Sequence, residues 1–212
     1  EPEIVFHLAG QADVAASWKD PYKTFKSNVE GTINVLTAAR ESNVQKIITI
    51  TSADVYGSVT FQELPITEET ALKPVSPYAA SKASADMLVK AFADHQGLPL
   101  LTVRATNVYG ARQQLYRIIM RTVIFIRLGK RIPLHGGGNA IKSYIHIRDV
   151  SQGEKAILEK GKIGRTYHLS PDGSISIREL VSKIAEHLGK SLSNVAFDVE
   201  ERLGQDPAYI ID

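Results

Sequence analysis

The sequence predicts an α/β fold with a doubly wound parallel sheet. Apolar runs of strand length occur near residues 3–8, 47–50 and 100–104, and the second of them ends in small and polar residues. Segments whose apolar residues recur at helical spacing separate these runs. Strands that are apolar throughout are typical of parallel sheets, because helices cover both faces of such a sheet.

The composition indicates an ordinary globular chain. Of its 212 residues, 43% are hydrophobic and 23% are charged, which suffices for one good core. Because 25 basic residues nearly balance 23 acidic ones, neither nucleic acid nor a membrane is expected as a partner. Without cysteine there is no thiolate chemistry, and the scattered histidines predict no metal site. A cytoplasmic protein is therefore expected, since no apolar run is long enough to span a bilayer.

The chain opens on a strand over residues 3–8, followed by a turn at Gly10. Asp20 before Pro21 is a typical helix start, and apolar residues at helical spacing predict a helix over residues 21–40.

The second strand, residues 47–50, is expected to be buried and to carry Ser52 and Asp54 to its carboxyl end. Ligands bind at this edge in open α/β sheets. The polar, proline-containing stretch over residues 58–75 that follows is predicted to be a loop.

A long amphipathic helix is predicted over residues 77–95. Ser76 is a favoured N-cap and Pro77 suits the first helical position. Tyr78 and Lys82, four residues apart, should share one face of this helix. An ammonium near a phenol lowers the tyrosine pKa, which would make Tyr78 a general acid or base. By itself this spacing is common on solvated helices.

Further elements follow the Gly97 stop of that helix. They are a strand at 100–104, a helix at 114–127, a turn at 134–139, a strand at 166–170, and a helix that starts at the capping box of Ser176 and Glu179 and ends near Gly189.

Three motifs together resemble the extended short-chain dehydrogenase/reductase family, in the branch that modifies nucleotide-activated sugars. The motifs are Thr51-Ser52-Ala53-Asp54-Val55-Tyr56-Gly57, the Tyr78/Lys82 pair, and Arg104-Ala105-Thr106-Asn107-Val108-Tyr109-Gly110. Their joint occurrence in this order is more specific than any one of them. The resemblance implies a Rossmann-like fold, NAD as cofactor, a nucleotide-sugar substrate and a homodimer.

The resemblance also implies the site residues. The catalytic set is Ser52, Asp54, Tyr78 and Lys82; the cofactor set is Leu8, Ala9 and Gly10 with Tyr78 and Lys82; the substrate set is Asn107, Lys142, Arg202 and Asp206. Lys142 stands where related enzymes carry arginine, so it keeps the charge but lacks the planar fork. Asn28 is expected to brace the active-site backbone.

By the same resemblance, residues 1–110 form a partial NAD-binding domain with the catalytic pair. Residues 111–212 form a mixed region with substrate-binding elements and a late strand of the sheet near 166–170. No glycine-rich dinucleotide turn occurs in the sequence, so the first βαβ units of the fold are expected to be missing. The chain is accordingly expected to be a fragment that binds NAD poorly.

Two reactions and one non-catalytic role stay open. Dehydratases of the family usually carry Thr-Asp-Glu or Thr-Ser-Glu after the catalytic strand, whereas epimerases carry small residues. Here Ala53 is a small residue, as in the epimerases. Asp54 is a carboxylate at the position of the dehydratase base. The structural alternative is that the Asp54 carboxylate caps nearby backbone amides. The ending with Arg202 and Asp206 favours a 4,6-dehydratase, a lyase. A 4-epimerase, an isomerase, is the alternative, and the missing glycine turn favours a non-catalytic binding module.

Overall fold

The computed structural model describes residues 2–58, 66–201 and 211. In chain order its helices and strands are β1 Ile4–His7, α1 Val14–Lys19, α2 Pro21–Phe25, a π-helix Lys26–Glu30, α3 Gly31–Glu41, β2 Lys46–Ile50, a 3-10 helix Ala53–Tyr56, α4 Pro77–Gln96, β3 Leu100–Ala105, β4 Asn107–Tyr109, α5 Ile118–Arg127, β5 Ile132–His135, a 3-10 helix Gly136–Gly138, β6 Ile141–Lys142, β7 Tyr144–His146, α6 Ile147–Lys160, β8 Thr166–Leu169, β9 Ile175–Ser176, α7 Ile177–His187, α8 Leu192–Val195 and β10 Ala196–Val199. Within the described ranges no helix is both long and apolar enough to cross a membrane.

The main sheet has four parallel strands in the order β1, β2, β3, β8, which confirms the predicted fold class. Ile47 is in register with Val5 on one side and Leu100 on the other, and Val103 is in register with Tyr167. Because these strands are parallel, their carboxyl ends meet at one edge of the sheet. The segments that follow β2 and β3 therefore begin side by side.

Helices cover both faces of this sheet. On one face Leu36 of α3 and Val89 of α4 pack with Ile47, and on the other Ile157 of α6 packs with Ile48. Neighbouring strand residues thus enter opposite cores, as the alternation of side chains along a strand requires. Full burial of each such aliphatic side chain contributes about 1.5–3 kcal/mol.

The helix predicted over residues 21–40 is confirmed as α2, the π-helix and α3 in direct succession. Its apolar repeat, however, lies largely outward, since Tyr22 and Ile33 are exposed. The buried side carries Thr24, Asn28 and Thr32 in its first part, and Leu36 and Ala39 only towards its end. This face meets the Tyr78 helix through hydrogen bonds.

A smaller layer follows in the second half of the chain. Strand β5 pairs with β10, and α5 and α7 pack around them through a core that includes Ile132, Val181 and Ala196. Two short pairs, β4 with β7 and β6 with β9, lie outside both of these sheets. Strand β8 returns to the main sheet, and the domain division after residue 110 stays a prediction.

Two predicted boundaries are wrong. The helix expected from residue 114 begins at Ile118, because Arg117 keeps an extended backbone with φ −66° and ψ 145°. The turn expected over 134–139 begins too early, because Leu134 and His135 belong to β5. Leu134 is buried and in register with Asp198 of β10.

Candidate active site

A cleft of about 710 Å³ opens at the carboxyl edge of the main sheet. Ser52, Asp54 and Tyr78 line it together with Asn107 and Lys142. These five predicted site residues come from four separate elements or turns of the chain. The fold therefore brings most of the predicted catalytic and substrate residues into one space.

The turn after β2 presents Ser52 and Asp54. Ser52 is the N-cap of the 3-10 helix Ala53–Tyr56, and its Oγ accepts a hydrogen bond from the Asp54 amide at 3.2 Å. Since Ser52 provides the cap, the Asp54 carboxylate is left to line the cleft. Ala53 points the other way: it is 1% exposed and packs in a core cluster with Val55.

The first turn of α4 holds Tyr78. The predicted N-cap is confirmed, because Ser76 Oγ accepts a hydrogen bond from the Ala79 amide at 3.1 Å. Ser17 of α1 adds a second cap, since its Oγ accepts from the Tyr78 amide at 3.1 Å. The backbone of Tyr78 is thereby fixed from two directions.

Burial raises the pKa of the Tyr78 phenol, and the Asp54 carboxylate raises it further. A hydrogen bond with Ser52 and the charge of Arg117 oppose this rise. The expectation that Lys82 lowers this pKa is wrong for the chain by itself. Lys82 Nζ instead donates to the carbonyl oxygen of Ile50 at 3.3 Å, and it is not among the groups that lower the pKa of Tyr78.

Lys82 lies against the turn that follows β1. Burial lowers the pKa of Lys82. A Cβ on Gly10 would lie 3.1 Å from Lys82 Nζ and 2.9 Å from Asn28 Oδ1, so only glycine lets the backbone pass this close. Leu8 and Ala9, just before it, are exposed at the same sheet edge. Leu8, Ala9, Gly10 and Lys82 lie beside the cleft and do not line it, and their role in holding a cofactor stays a prediction.

Asn28 joins this turn to the Tyr78 helix. Its Nδ2 donates to the Gln11 carbonyl oxygen at 3.0 Å and to Ser81 Oγ at 2.8 Å, and its Oδ1 accepts from the Gln11 amide at 2.7 Å. Ser81 Oγ in turn donates to the Tyr78 carbonyl oxygen at 2.7 Å. The contacts agree with the bracing role that the resemblance implies.

The opposite wall carries part of the predicted substrate set. Asn107 in β4 donates to the Ser143 carbonyl oxygen through its backbone amide at 3.2 Å and its Nδ2 at 3.1 Å. Lys142 in β6 lines the same space. Arg202 and Asp206 lie outside the described residues. The roles of all four residues stay predictions.

Arg117 is a cleft residue that the sequence reasoning missed. Its Nη2 donates to the Ala12 carbonyl oxygen at 3.0 Å, across from α5 to the turn after β1. Its Nε is buried and has no hydrogen-bond partner in the described part of the chain. A cation at a helix N-terminus opposes the helix dipole, but the sequence prediction places Arg117 inside the helix over 114–127, where that signal is lost.

The charge of the cleft is predominantly positive over the described residues. The charged side chains that line it are Arg112, Arg117, Arg121, Lys142, Asp13 and Asp54. Asp13 is occupied as the N-cap of α1, where it accepts from the Ala16 amide at 3.0 Å. Four cations against one available carboxylate favour an anionic ligand.

The arrangement can move protons at two neighbouring positions of a ligand. A tyrosine phenol hydrogen-bonded to a serine can exchange a proton with a hydroxyl or carbonyl oxygen. A carboxylate close to that phenol can accept a proton from an adjacent carbon.

Comparison with known proteins gives consistent matches. A family model described as GDP-mannose 4,6 dehydratase matches residues 1–208. A dTDP-glucose 4,6-dehydratase from Streptomyces griseus is 35% identical over 208 residues, which are 98% of this chain and 62% of that protein. The chain therefore spans less than two thirds of the length of that relative.

Solved structures agree with the sequence matches. A dTDP-glucose 4,6-dehydratase from Streptomyces venezuelae, crystallised with NAD bound, has a TM-score of 0.94 at 30% identity. The match covers 99% of this chain and 64% of that protein. A UDP-glucose 4-epimerase from Thermotoga maritima has a TM-score of 0.93 at 27% identity, and the match covers 100% of this chain and 68% of that protein. The resemblance indicated by the three motifs is confirmed.

Proposed function

The chain belongs to the GDP-mannose 4,6 dehydratase family, and on that premise we propose that it uses NAD to convert a nucleotide-activated sugar by 4,6-dehydration through a 4-keto intermediate. The observation that carries this proposal is the convergence of Ser52, Asp54 and Tyr78 on one cleft. The cationic wall of that cleft suits the diphosphate of such a substrate.

The proposed binding roles follow from position. Lys142 and Asn107 would contact the nucleotide diphosphate and sugar, with lysine acting as a point charge. Gly10 and Lys82, with Leu8 and Ala9 before them, would hold NAD along the sheet edge. Bound there, NAD would supply the acceptor for the C4 hydride and the donor of that hydride to C6, while C5 takes a proton from solvent.

Tyr78 removes the proton of the sugar 4-hydroxyl. For this the phenolate must become accessible, although burial and Asp54 keep the pKa of Tyr78 high. The Ser52 hydroxyl and the Arg117 charge favour the phenolate. Lys82 lies one helical turn further along the same face, where its Nζ donates to the Ile50 carbonyl oxygen at 3.3 Å.

Asp54 acts after the ketone has formed at C4. The ketone acidifies the C5 proton, Asp54 accepts it, the C5–C6 double bond forms and the C6–O bond breaks. The departing oxygen needs a proton to leave as water. Ala53 has no acidic proton and packs in the core. The protonated Asp54 carboxyl is therefore the acid of this turn that can supply a proton to the departing oxygen.

A 4-epimerase is the second candidate, and Ala53 favours it. With a small residue at that position, the turn holds one carboxylate and no separate acid. A UDP-glucose 4-epimerase is also among the similar solved structures. In this reaction Asp54 only lines the pocket. The non-catalytic binding module differs from both enzymes in not needing NAD. Calorimetry of NAD with the purified full-length gene product therefore separates the binding module from the two enzymes.

Sugars deuterated at C5 test the dehydratase proposal. We would incubate the full-length gene product and NAD with C5-deuterated dTDP-glucose, UDP-glucose and GDP-mannose. A dehydratase exchanges the label with solvent and forms a 4-keto-6-deoxy product. Asp54→Asn should block this exchange while ketone formation at C4 continues, whereas Asp149→Asn, an exposed carboxylate on α6, should change neither. Retention of deuterium in a 4-epimerised product would overturn the proposal.

We further propose a homodimer in the cytoplasm. Two apolar side chains on α2 and α4, Tyr22 at 78% and Met87 at 66% exposure, support a self-association surface on these helices. Sedimentation velocity of the full-length gene product should give twice the chain mass. A monomer at micromolar concentration would contradict the dimer.

A further inference from the structure

A buried polar cluster lies behind the turn that carries Asp54, and the reaction above does not use it. At its centre Arg104 of β3 forms two hydrogen bonds with Asp86 of α4, Nε to Oδ2 at 2.9 Å and Nη2 to Oδ1 at 3.0 Å. Both side chains are buried. A buried ion pair is a poor source of net stability, because desolvation offsets the attraction.

Tyr56 connects this ion pair to the turn. Its hydroxyl lies 2.5 Å from Arg104 Nη1 and 2.6 Å from His168 Nε2, and its ring is fully buried. Tyr56 is the last residue of the 3-10 helix that includes Asp54. The carboxyl end of the turn is thus fixed to β3 and β8.

Thr51 fixes the other end of the same turn. Its Oγ1 donates to Asp86 Oδ2 at 3.1 Å, one residue before Ser52. Asp86 follows Lys82 by four residues on α4, so it lies on the same face as the catalytic pair. One ion pair therefore links the Tyr78 helix to both ends of the Asp54 turn.

We propose that Tyr56, Arg104, Asp86 and His168, here called the brace, are positioning residues that hold Asp54 at the distance from Tyr78 needed for C5 proton removal. This inference rests on the proposed function. Proton transfer requires hydrogen-bond reach, and a misplacement of about 1 Å can cost roughly 10²-fold in rate.

A purely structural role for the brace predicts something different. Arg104 Nη1 also donates to the Glu68 carbonyl oxygen at 2.9 Å, and the His168 amide donates to Glu68 Oε1 at 3.1 Å. If the cluster served only to hold this loop, its loss would lower stability and slow both chemical steps alike. A positioning role slows the Asp54 step selectively.

Tyr56→Phe in the full-length gene product tests the proposal, because it removes one hydroxyl and keeps the ring. Tyr167→Phe is the matched control, since that hydroxyl accepts from the Lys162 amide at 2.7 Å, beside His168 but away from the turn. With C5-deuterated substrate, Tyr56→Phe should lower label exchange by roughly 10- to 100-fold relative to ketone formation at C4. The control should leave this ratio unchanged.

Hydrogen exchange provides a readout that needs no substrate. The Val55 amide bonds to the Ser52 carbonyl oxygen at 3.3 Å and the Gly57 amide to the Asp54 carbonyl oxygen at 3.1 Å. These amides should exchange faster in Tyr56→Phe and not in the control. Thr51→Val, which releases the other end of the turn, should act in the same direction and serves if Tyr56→Phe does not fold.

The outcomes separate the two proposals. If the unmutated protein converts none of the nucleotide sugars, the proposed function fails. In that case, unchanged amide exchange in Tyr56→Phe and Thr51→Val would reject the brace as well. Faster amide exchange in these variants would support the hold of the brace on the turn. If Asp54→Asn blocks label exchange but Tyr56→Phe and Thr51→Val keep a normal ratio, the function stands and the brace is rejected.

Discussion

Tyr78 is buried, 7% exposed, and its hydroxyl is hydrogen-bonded to Ser52. Tyr78→Phe removes the titrating oxygen and keeps the packed ring, so we expect the fold and NAD binding of the full-length gene product to be retained. Turnover should fall by roughly 10²-fold or more, the scale of general acid-base catalysis. Steady-state kinetics with calorimetry of NAD checks both parts, and near-normal turnover would contradict the role.

Gly10 is a second residue with a sharp expectation. A Cβ there would press on Asn28 Oδ1 and Lys82 Nζ, and we expect Gly10→Ala to lower the free energy of unfolding by about 1–3 kcal/mol. Gly173→Ala is the control, because a Cβ at Gly173 has no neighbour within 4 Å among the described residues. Urea unfolding measures both, and equal stability of the two variants would count against close packing at Gly10.

Whether a site residue could be predicted depends on how close in the sequence the residues lie that reveal its role. Ser52, Asp54 and Tyr78 could be predicted because each lies in a short motif beside a strand end or helix start. His168 and Arg117 could not, because their partners are distant in the chain. Tyr56 and His168 are 112 residues apart, and Arg117 and Ala12 are 105 apart. No spacing rule of a single segment reports such contacts.

Among the helices, α4 depends on caps at its first turn. Ser17→Ala leaves the buried Tyr78 amide without the Oγ acceptor, so the free energy of unfolding should fall by about 1–3 kcal/mol. Ser191→Ala is the comparison, since Ser191 is an N-cap of α8 whose side chain makes no cap hydrogen bond. Urea unfolding should show a change of only a few tenths of a kcal/mol there. A larger loss for Ser191→Ala would contradict this interpretation of the caps.

Helix positions could be predicted better than helix faces. The apolar spacing predicts the helix over 21–40, yet of the predicted repeat only Leu36 is buried, and the buried stripe before it is Thr24, Asn28 and Thr32. Spacing reports which residues can share a face, and hydrogen bonds to β1, to α4 and to the turn after β1 accompany the burial of this one. The start of α5 was misplaced for a related reason, since Arg117 is held in an extended conformation by a contact across the cleft.

At the scale of the whole molecule, the parallel sheet and its functional edge followed from the apolar strands alone. The short pairs β4 with β7 and β6 with β9 did not, because strands of two or three residues have no recognisable pattern. These pairs nevertheless supply Asn107 and Lys142 to the cleft. The sheet edge was therefore predictable, and the wall opposite it was not.

Stability of the whole molecule should depend on pH through His7. Burial lowers the pKa of His7 below 6.5, and the Lys82 charge lowers it further. His7 Nε2 lies 3.0 Å from Thr32 Oγ1, whose own proton goes to the Asn28 carbonyl oxygen at 2.6 Å, so Nε2 carries the proton of the neutral ring. The unfolded chain binds the extra proton more readily than the folded one.

The free energy of unfolding should therefore fall as the pH drops below about 6.5 and level off below the folded pKa of His7. His7→Asn should flatten this decline, whereas His187→Asn, an exposed histidine at the end of α7, should not. Urea unfolding of the wild type, His7→Asn and His187→Asn between about pH 5 and 8 tests this. Burial raises the pKa of Glu154, so this group also makes stability depend on pH. Subtracting the wild-type free energy of unfolding at each pH removes that common contribution. An equally steep decline in His7→Asn would show that protonation of another group destabilises the fold.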